Sequence, residues 1–306
     1  MKQERIPIPE FDGEYVNIYA PQGDVYNGIE INGLVKGNFY KEWITNDFSI
    51  LKDGDKWHMV GITTPKTTGF VDEFEYNPDT VHGAENQLFH CVAQGDNFSD
   101  IFYRESFCEC KKILYPDERP NEIAAIWAPH LMKYKDVYNV IYSPCEFRRA
   151  VSADFDKWEL KPYLFKTEFF AARDPYIYEE NGIFYLIYTE DKYLKYRISE
   201  DMETWSDEKI MQTMPFEKGS VESPFFMKKD EYYYLFWSIF DGENGCYDNR
   251  TFVFASKTID GFDGKAPLTV LKAHAPEIVR DNDGSYYLLS VFYPGNGISA
   301  VKLKWI

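Results

Sequence analysis

Three acidic residues sit in short, similar contexts: Thr45-Asn46-Asp47-Phe48, Ala172-Arg173-Asp174-Pro175 and Val221-Glu222-Ser223-Pro224. Two further segments, Ile126-Trp127-Ala128-Pro129 and His274-Ala275-Pro276, share the context without the acid. Taken singly, an Asp-Pro reads as a turn and a Glu near Pro as a solvated face. Brought together in one partly buried place, three carboxylates repel. Each raises its neighbours' proton affinity, so that one can stay protonated near neutral pH. That combination suits glycoside hydrolysis, which needs a protonated acid for the leaving oxygen and an ionised carboxylate on the other side of the sugar. A third carboxylate can tune the acid and support the oxocarbenium charge. The expectation is a site built on Asp47, Asp174 and Glu222, with Trp127, Arg173 and His274 at neighbouring positions.

A repeat must position them. The segments 52–60, 135–142, 180–188, 229–237 and 282–289 each pass from a turn into an aromatic strand, and three contain Asn-Gly or Asp-Gly, a strong hairpin signal. Trp57, Tyr138, Phe184, Tyr233 and Tyr286 recur 81, 46, 49 and 53 residues apart. After the first, these spacings match four-stranded propeller blades of roughly 40–50 residues. The first blade carries an insertion near 64–100, rich in Pro, Gly, Asp and Asn. The predicted fold class is all-β: one five-bladed β-propeller over residues 1–306, its N-terminal segment closing the last blade. A pair of β-sandwiches is the alternative, but sandwiches do not demand equal repeats. The five short contexts lie ten to twelve residues upstream of the aromatic anchors. There the innermost strand of each blade should begin, and Pro suits a strand's first residue. Two matching turns that end at Trp158 and Trp205 are expected to seat those rings between blades.

Composition narrows the partners. Aromatic residues make up 18 % of the chain, which favours flat apolar faces for stacking. The net charge of −17 argues against nucleic acid and against docking on an anionic membrane. No stretch approaches the ~18 apolar residues of a membrane span. The start, Met1 to Pro7, has no hydrophobic signal core, so the expected location is cytoplasmic, or periplasmic or secreted if a signal has been removed. The five scattered cysteines read as reduced, and Cys108-Glu109-Cys110 lacks the spacing of a zinc knuckle.

The ordered set Asn46-Asp47-Phe48, Trp127-Ala128-Pro129, Asp174-Pro175, Glu222-Ser223-Pro224 and His274 resembles the five-bladed propeller glycoside hydrolases, closest to family 43, over about residues 40–306. The resemblance implies inverting hydrolysis of plant-type oligo- or polysaccharides, with arabinofuranosides or xylosides as substrates. It implies Asp47 as general base, Glu222 as general acid and Asp174 as the residue that tunes the acid. Asn46, Phe48, Trp127, Arg173 and His274 would surround the sugar. His274 would sit on the central axis, where some relatives hold a calcium ion or a water cluster; imidazole is a poor direct calcium ligand, and no cofactor is required. Two positions depart from the pattern: Phe48 stands where relatives usually have Pro, and Ser223 where they usually have Gly. Asn46-Asp47 and Arg173-Asp174-Pro175 also resemble the invertase and levansucrase families, which retain configuration and use the first Asp as nucleophile. The carboxylate gap separates the two outcomes, about 5–5.5 Å for retention and about 6.5–9.5 Å for inversion. A phosphate-dependent mannoside phosphorylase and a non-catalytic carbohydrate-binding propeller are further alternatives. The first needs several basic residues where Arg173 alone is well placed, and the second has no need of an acid at Glu222.

Other groups read as structural. His58 lies in a blade strand, and alternation turns His130 away from the mouth. The polar run from His82 to His90 could reach over the mouth as a lid or subsite wall, or be a surface excursion. Asp241 to Gly245 reads as a loop. A phosphate-binding Gly-rich loop, a Gly-x-Ser-x-Gly elbow and a His-Glu-x-x-His motif are all absent.

Overall fold

A computed structural model describes residues 5–31, 33–66, 85–243, 245–291 and 293–306, with backbone alone at 245–248. The chain begins with β1 (Pro9–Phe11) and β2 (Val16–Tyr19), then a small ribbon of β3 (Asp24–Val25) and β4 (Phe39–Tyr40). Blade one is β5 (Trp43–Asp53), β6 (Lys56–Pro65), β7 (Leu88–Gln94) and β8 (Cys108–Glu109). Blade two is β9 (Trp127–Tyr134), β10 (Val137–Ser143), β11 (Glu146–Ser152) and β12 (Glu159–Lys166). Blade three is β13 (Arg173–Glu180), β14 (Ile183–Glu190), β15 (Tyr193–Ser199) and β16 (Lys209–Thr213). Blade four is β17 (Ser220–Lys229), β18 (Tyr232–Gly242), β19 (Gly245–Ser256) and β20 (Thr269–Leu271). Blade five is β21 (Glu277–Arg280), β22 (Tyr286–Val291) and β23 (Ile298–Trp305), and both β1 and β2 pair antiparallel with β23. The protein is a five-bladed β-propeller, as the repeat predicts. Among the described residues no helix is long and apolar enough to cross a membrane.

The hairpin turns set the register. In blade three Glu180 faces Ile183 across Asn181 and Gly182, both with positive φ, which matches the right-handed twist of the flanking strands. Blade two makes the same two-residue turn with Lys135 (φ 51°) and Asp136 (φ 61°), although neither is glycine. The extra length of blade one is split. Part lies between β6 and β7, and part follows β7 around a short 3-10 turn at Phe98–Asp100. His82, Gly83 and Ala84 of the expected lid lie outside the described residues.

The core is divided among the five blade interfaces. Phe48, Trp57 and Met59 meet Leu289 and Ala300 between blades one and five. Val60 and Leu88 meet Leu131 and Val140 between blades one and two, and Trp158 packs there. Ile141 and Phe147 meet Leu186 and Tyr188 between blades two and three, where Trp205 packs. Ile187 and Tyr196 meet Phe226 and Trp237 between blades three and four, and Tyr234 and Phe236 meet Leu288 and Val301 between blades four and five. Each fully buried Leu or Phe contributes about 1.5–3 kcal/mol, so the ring is held by five similar seams rather than one central core. The two turns before Trp158 and Trp205 are alike: Ser152 Oγ and Ser199 Oγ accept the amides of Phe155 and Met202, each residue with φ near +65°. Cys91, Cys108, Cys110 and Cys145 are all reduced.

His58 and His90 are buried between blades one and two, Nδ1 to Nε2 at 3.1 Å, with Phe155 stacked on both rings. Burial pushes His58 down to about 4 and His90 to about 3. Both are neutral in the fold where an unfolded histidine, near 6.5, already takes a proton. Stability should therefore fall as pH drops from about 6.5 towards 4. Replacing both rings (H58F/H90F) should flatten that slope in thermal unfolding followed against pH. An unchanged slope would show that other groups set it.

Candidate active site

The innermost strands β5, β9, β13 and β17 touch in sequence around the axis and β21 touches β5; Phe225 of β17 and Ile278 of β21 share one packed cluster, which completes the circle. β9, β13 and β17 carry the same irregularity near their starts, and β5 a displaced form of it. In blade three Arg173 pairs with Thr189 and Tyr176 with Ile187, so Asp174 and Pro175 together oppose one residue. In blade four Glu222 pairs with Ser238 and Phe225 with Phe236, so Ser223 and Pro224 do the same. Blade two repeats this at Ala128 and Pro129. These are β-bulges, and a bulge re-aims its side chains. The residue before each Pro takes the left-handed backbone: Ala128 (φ 41°), Asp174 (φ 60°), Ser223 (φ 49°) and Ala275 (φ 45°). Such residues each cost of order 1 kcal/mol and cluster at functional sites. Blade one differs because Phe48 replaces Pro. The Phe48 position rejoins the ladder opposite Gly61, the bulge moves back to Asn46 and Asp47, and Asp47 needs no positive φ.

Two stacked rings of residues result. Trp127, Arg173 and Glu222, each the last paired residue before its bulge, form one with His274; Asp47, Ala128, Asp174, Ser223 and Ala275, which line one cavity, form the next. Glu222 thus lies one position before Asp47 and Asp174 in the repeat, beside Arg173 and His274. The structure brings all three acids together, with exposures of 7 % for Asp47, 3 % for Asp174 and 5 % for Glu222. Ser223 joins two of them: its Oγ donates to Asp47 Oδ1 at 2.5 Å and its amide to Asp174 Oδ2 at 2.8 Å. Thr189 Oγ1 also donates to Asp174 Oδ2, at 3.1 Å. Arg173 lies between acids, its Nε 3.5 Å from Asp174 Oδ2 and its terminal nitrogen 3.6 Å from Glu222 Oε1. His274 Nε2 is 3.7 Å from Glu222 Oε2.

These contacts separate the acids' proton affinities. Burial raises all three. Asp174 is raised least firmly, because Arg173, the Ser223 amide and the Thr189 hydroxyl all favour its anion. Asp47 is pushed up to about 7 by burial and by Asp174 and Glu85, against the Ser223 hydroxyl and Arg173. Glu222 is held well above the usual carboxylate range by burial, opposed by Arg173 and reinforced by Asp47 and Asp174. Its Oε2 has no hydrogen-bond donor among the described residues. The trio titrates as a unit, with Asp174 the easiest to ionise and Glu222 the last to give up its proton.

The remaining expected residues fall into distinct places. Asn46 donates from Nδ2 to Glu85 Oε1 at 2.9 Å. Trp127 meets the edge of Phe170 with ring centroids 6.3 Å apart, and Phe169 and Phe170 are both partly exposed beside it. Arg173 also lies over the Phe240 ring. Phe48 is buried between blades one and five, and it lines a water-sized axial cavity of about 30 Å³ together with Asp47, Asp174 and Ser223. His130 is buried against Tyr176 and pushed down to about 3 by that burial. Among the described residues no three His, Cys, Asp or Glu side chains group so as to hold a metal ion, and His274 Nε2 faces Glu222. These residues do not fit a directly bound calcium.

Four participants escaped the sequence reading. Glu85 lies inside the polar insertion and is buried, a fourth carboxylate beside Asn46. Thr189 is set opposite Arg173 by the hairpin register. Ser223 stands within the Glu222-Ser223-Pro224 motif, but its hydroxyl bond depends on the bulge. Glu277 is buried at the axial cavity, and that burial raises its carboxyl well above the usual range.

No protein-family model matches the sequence, and no curated protein matches it. Solved structures do match in fold. An arabinanase from Bacillus subtilis is similar at 16 % identity with a TM-score of 0.59, covering 86 % of this chain and 94 % of that one. A thermostable family-43 glycoside hydrolase gives 14 % identity and a TM-score of 0.60, covering 86 % and 89 %. The α-L-arabinofuranosidase of Podospora anserina, solved with cellotriose, gives 12 % identity and a TM-score of 0.61, covering 94 % and 95 %. At such identities the likeness is one of fold, and it spans nearly the whole of each chain.

Proposed function

We propose that this protein is a glycoside hydrolase that cleaves O-glycosidic bonds of plant-type oligo- or polysaccharides, with arabinofuranosides or xylosides as substrates and inversion at the anomeric carbon. One observation carries the reading: Asp47, Asp174 and Glu222 come from three blades to one buried place with graded proton affinities. The arabinanase and arabinofuranosidase named above guide the choice of sugar.

The geometry suits the following division of labour. Glu222, the carboxyl that keeps its proton longest, gives it to the glycosidic oxygen as the bond to the anomeric carbon breaks. Asp47, ionised, takes a proton from a water whose oxygen bonds to the anomeric carbon. Each turnover leaves Glu222 ionised and Asp47 protonated, and exchange with solvent resets both. Asp174 stays ionised and, with Arg173, holds the local charge constant while the proton moves. Phe169 and Phe170, exposed beside the buried Trp127, offer the apolar faces on which a sugar ring stacks.

Glu222→Gln should lower kcat on natural linkages by on the order of 10²–10⁴, with a smaller loss on aryl glycosides whose leaving group needs little protonation. Equal losses on every substrate would remove Glu222 from the acid role. Proton NMR of freshly released sugar should show the inverted anomer; the retained anomer would recast Asp47 as a nucleophile. The pH profile should be bell-shaped, its acidic limb near 7 where Asp47 takes up a proton and its basic limb where Glu222 loses one. Arg173 favours the anion of all three acids, so Arg173→Ala should move both limbs to higher pH. A bell that stays in place would show that Arg173 does not set the site's charge.

A further inference from the structure

We propose that Ser223 is a positioning residue that locks the Asp47 carboxylate to Asp174, fixing where the ionised oxygen of Asp47 points. The inference rests on the hydrolase reading for its catalytic consequence, but the linkage itself is a property of the fold. Ser223 is buried, and its two donors serve two different acids. The hydroxyl reaches Asp47 Oδ1 at 2.5 Å, across 176 residues of sequence, and the amide reaches Asp174 Oδ2 at 2.8 Å. Both donors belong to one residue held with φ of +49° at the bulge. That backbone aims the amide and the hydroxyl at blades three and one at once. Glycine would adopt the same backbone with less strain, so the serine at this position is explained by its hydroxyl and not by its backbone.

The groups that face Asp47 set the size of the effect. From blade three come Asp174, which disfavours its charge, and Arg173, which favours it. From the segment before β7 comes Glu85, which disfavours it, and from β17 come Glu222 and the Ser223 hydroxyl. Blades two and five present Ala128, Pro129, Ala275 and Pro276 to the same cavity, uncharged, with Glu277 further along it. Among the described residues, the hydrogen bond that Asp47's carboxylate accepts comes from the Ser223 hydroxyl. Without it, Asp47 would keep its charge only through Arg173 against three acids.

The test compares wild type with Ser223→Gly and Ser223→Ala. Both lose the hydroxyl and keep the amide; only alanine keeps the strain of a side chain at positive φ. A hydrogen bond to a charged group corresponds to about one pH unit or more. The acidic limb of kcat/KM should therefore rise by about one unit in both variants, with KM at the optimum little changed. In protein labelled with carboxyl-13C aspartate, the resonance identified by its loss in Asp47→Asn should titrate about one unit higher in both variants. A limb and resonance that stay put in folded Ser223→Gly would overturn the proposal. Wild type without turnover on any glycoside would overturn the hydrolase reading instead. The 13C titration would then decide the Ser223 linkage alone.

Discussion

Closure of the ring is the constraint on which every other feature depends. Blade five takes its outer strand from the start of the chain, since β1 and β2 both pair with β23, and Ile8 and Ile306 exchange backbone hydrogen bonds at 2.9 and 3.0 Å. Without that seal β21 would lose its place beside β5, and His274 and Glu277 would no longer share an axis with Asp47. The entropy of closing so long a loop grows only slowly with its length, whereas the reward is a fifth buried seam between blades five and one. Closure also leaves no open flank between blades, which suits a sheet protein that must hide its edges.

Inside the ring, three acids of similar chemistry become different through what donates to them. Asp174 receives two hydrogen bonds and a guanidinium, Asp47 receives one hydroxyl, and Glu222 has only Arg173 and His274 at longer range. Burial pushes all three the same way, so the difference among them comes from donors. Arg173 is central to this. Its distances to Asp174 and Glu222 are nearly equal, so the positive charge is shared between acids rather than spent on one pair.

Much of this was legible in the sequence, for a physical reason. Turn chemistry such as Asn181-Gly182 and the aromatic strand that follows it are local signals, and five local signals at near-regular spacing define a ring. The Pro-marked starts of the inner strands then place Asp174 and Glu222 on the axis, and the repeat places Asp47 with them. What the sequence does not spell out is the bulge. It lets Ser223 reach Asp47, whereas the one-residue offset of Glu222 from Asp174 is already written in their spacing to the following Pro. Glu85 was hidden for a different reason. It belongs to an insertion outside the repeat, so no periodic argument could place it beside Asn46.

The ring that holds Asp47, Asp174 and Ser223 has two other members, Ala128 and Ala275, in blades two and five. Five equivalent blades would give the axis a rotational symmetry and leave a bound molecule no reason to choose one azimuth over another. Two methyl groups and three proton-handling groups break that symmetry. The polar arc runs across blades one, three and four, and the methyl positions interrupt it unevenly. A chiral, many-hydroxylled ligand meeting this ring would meet a surface with a defined front and back. The propeller thus gains orientation not by adding loops but by leaving two of five places chemically silent.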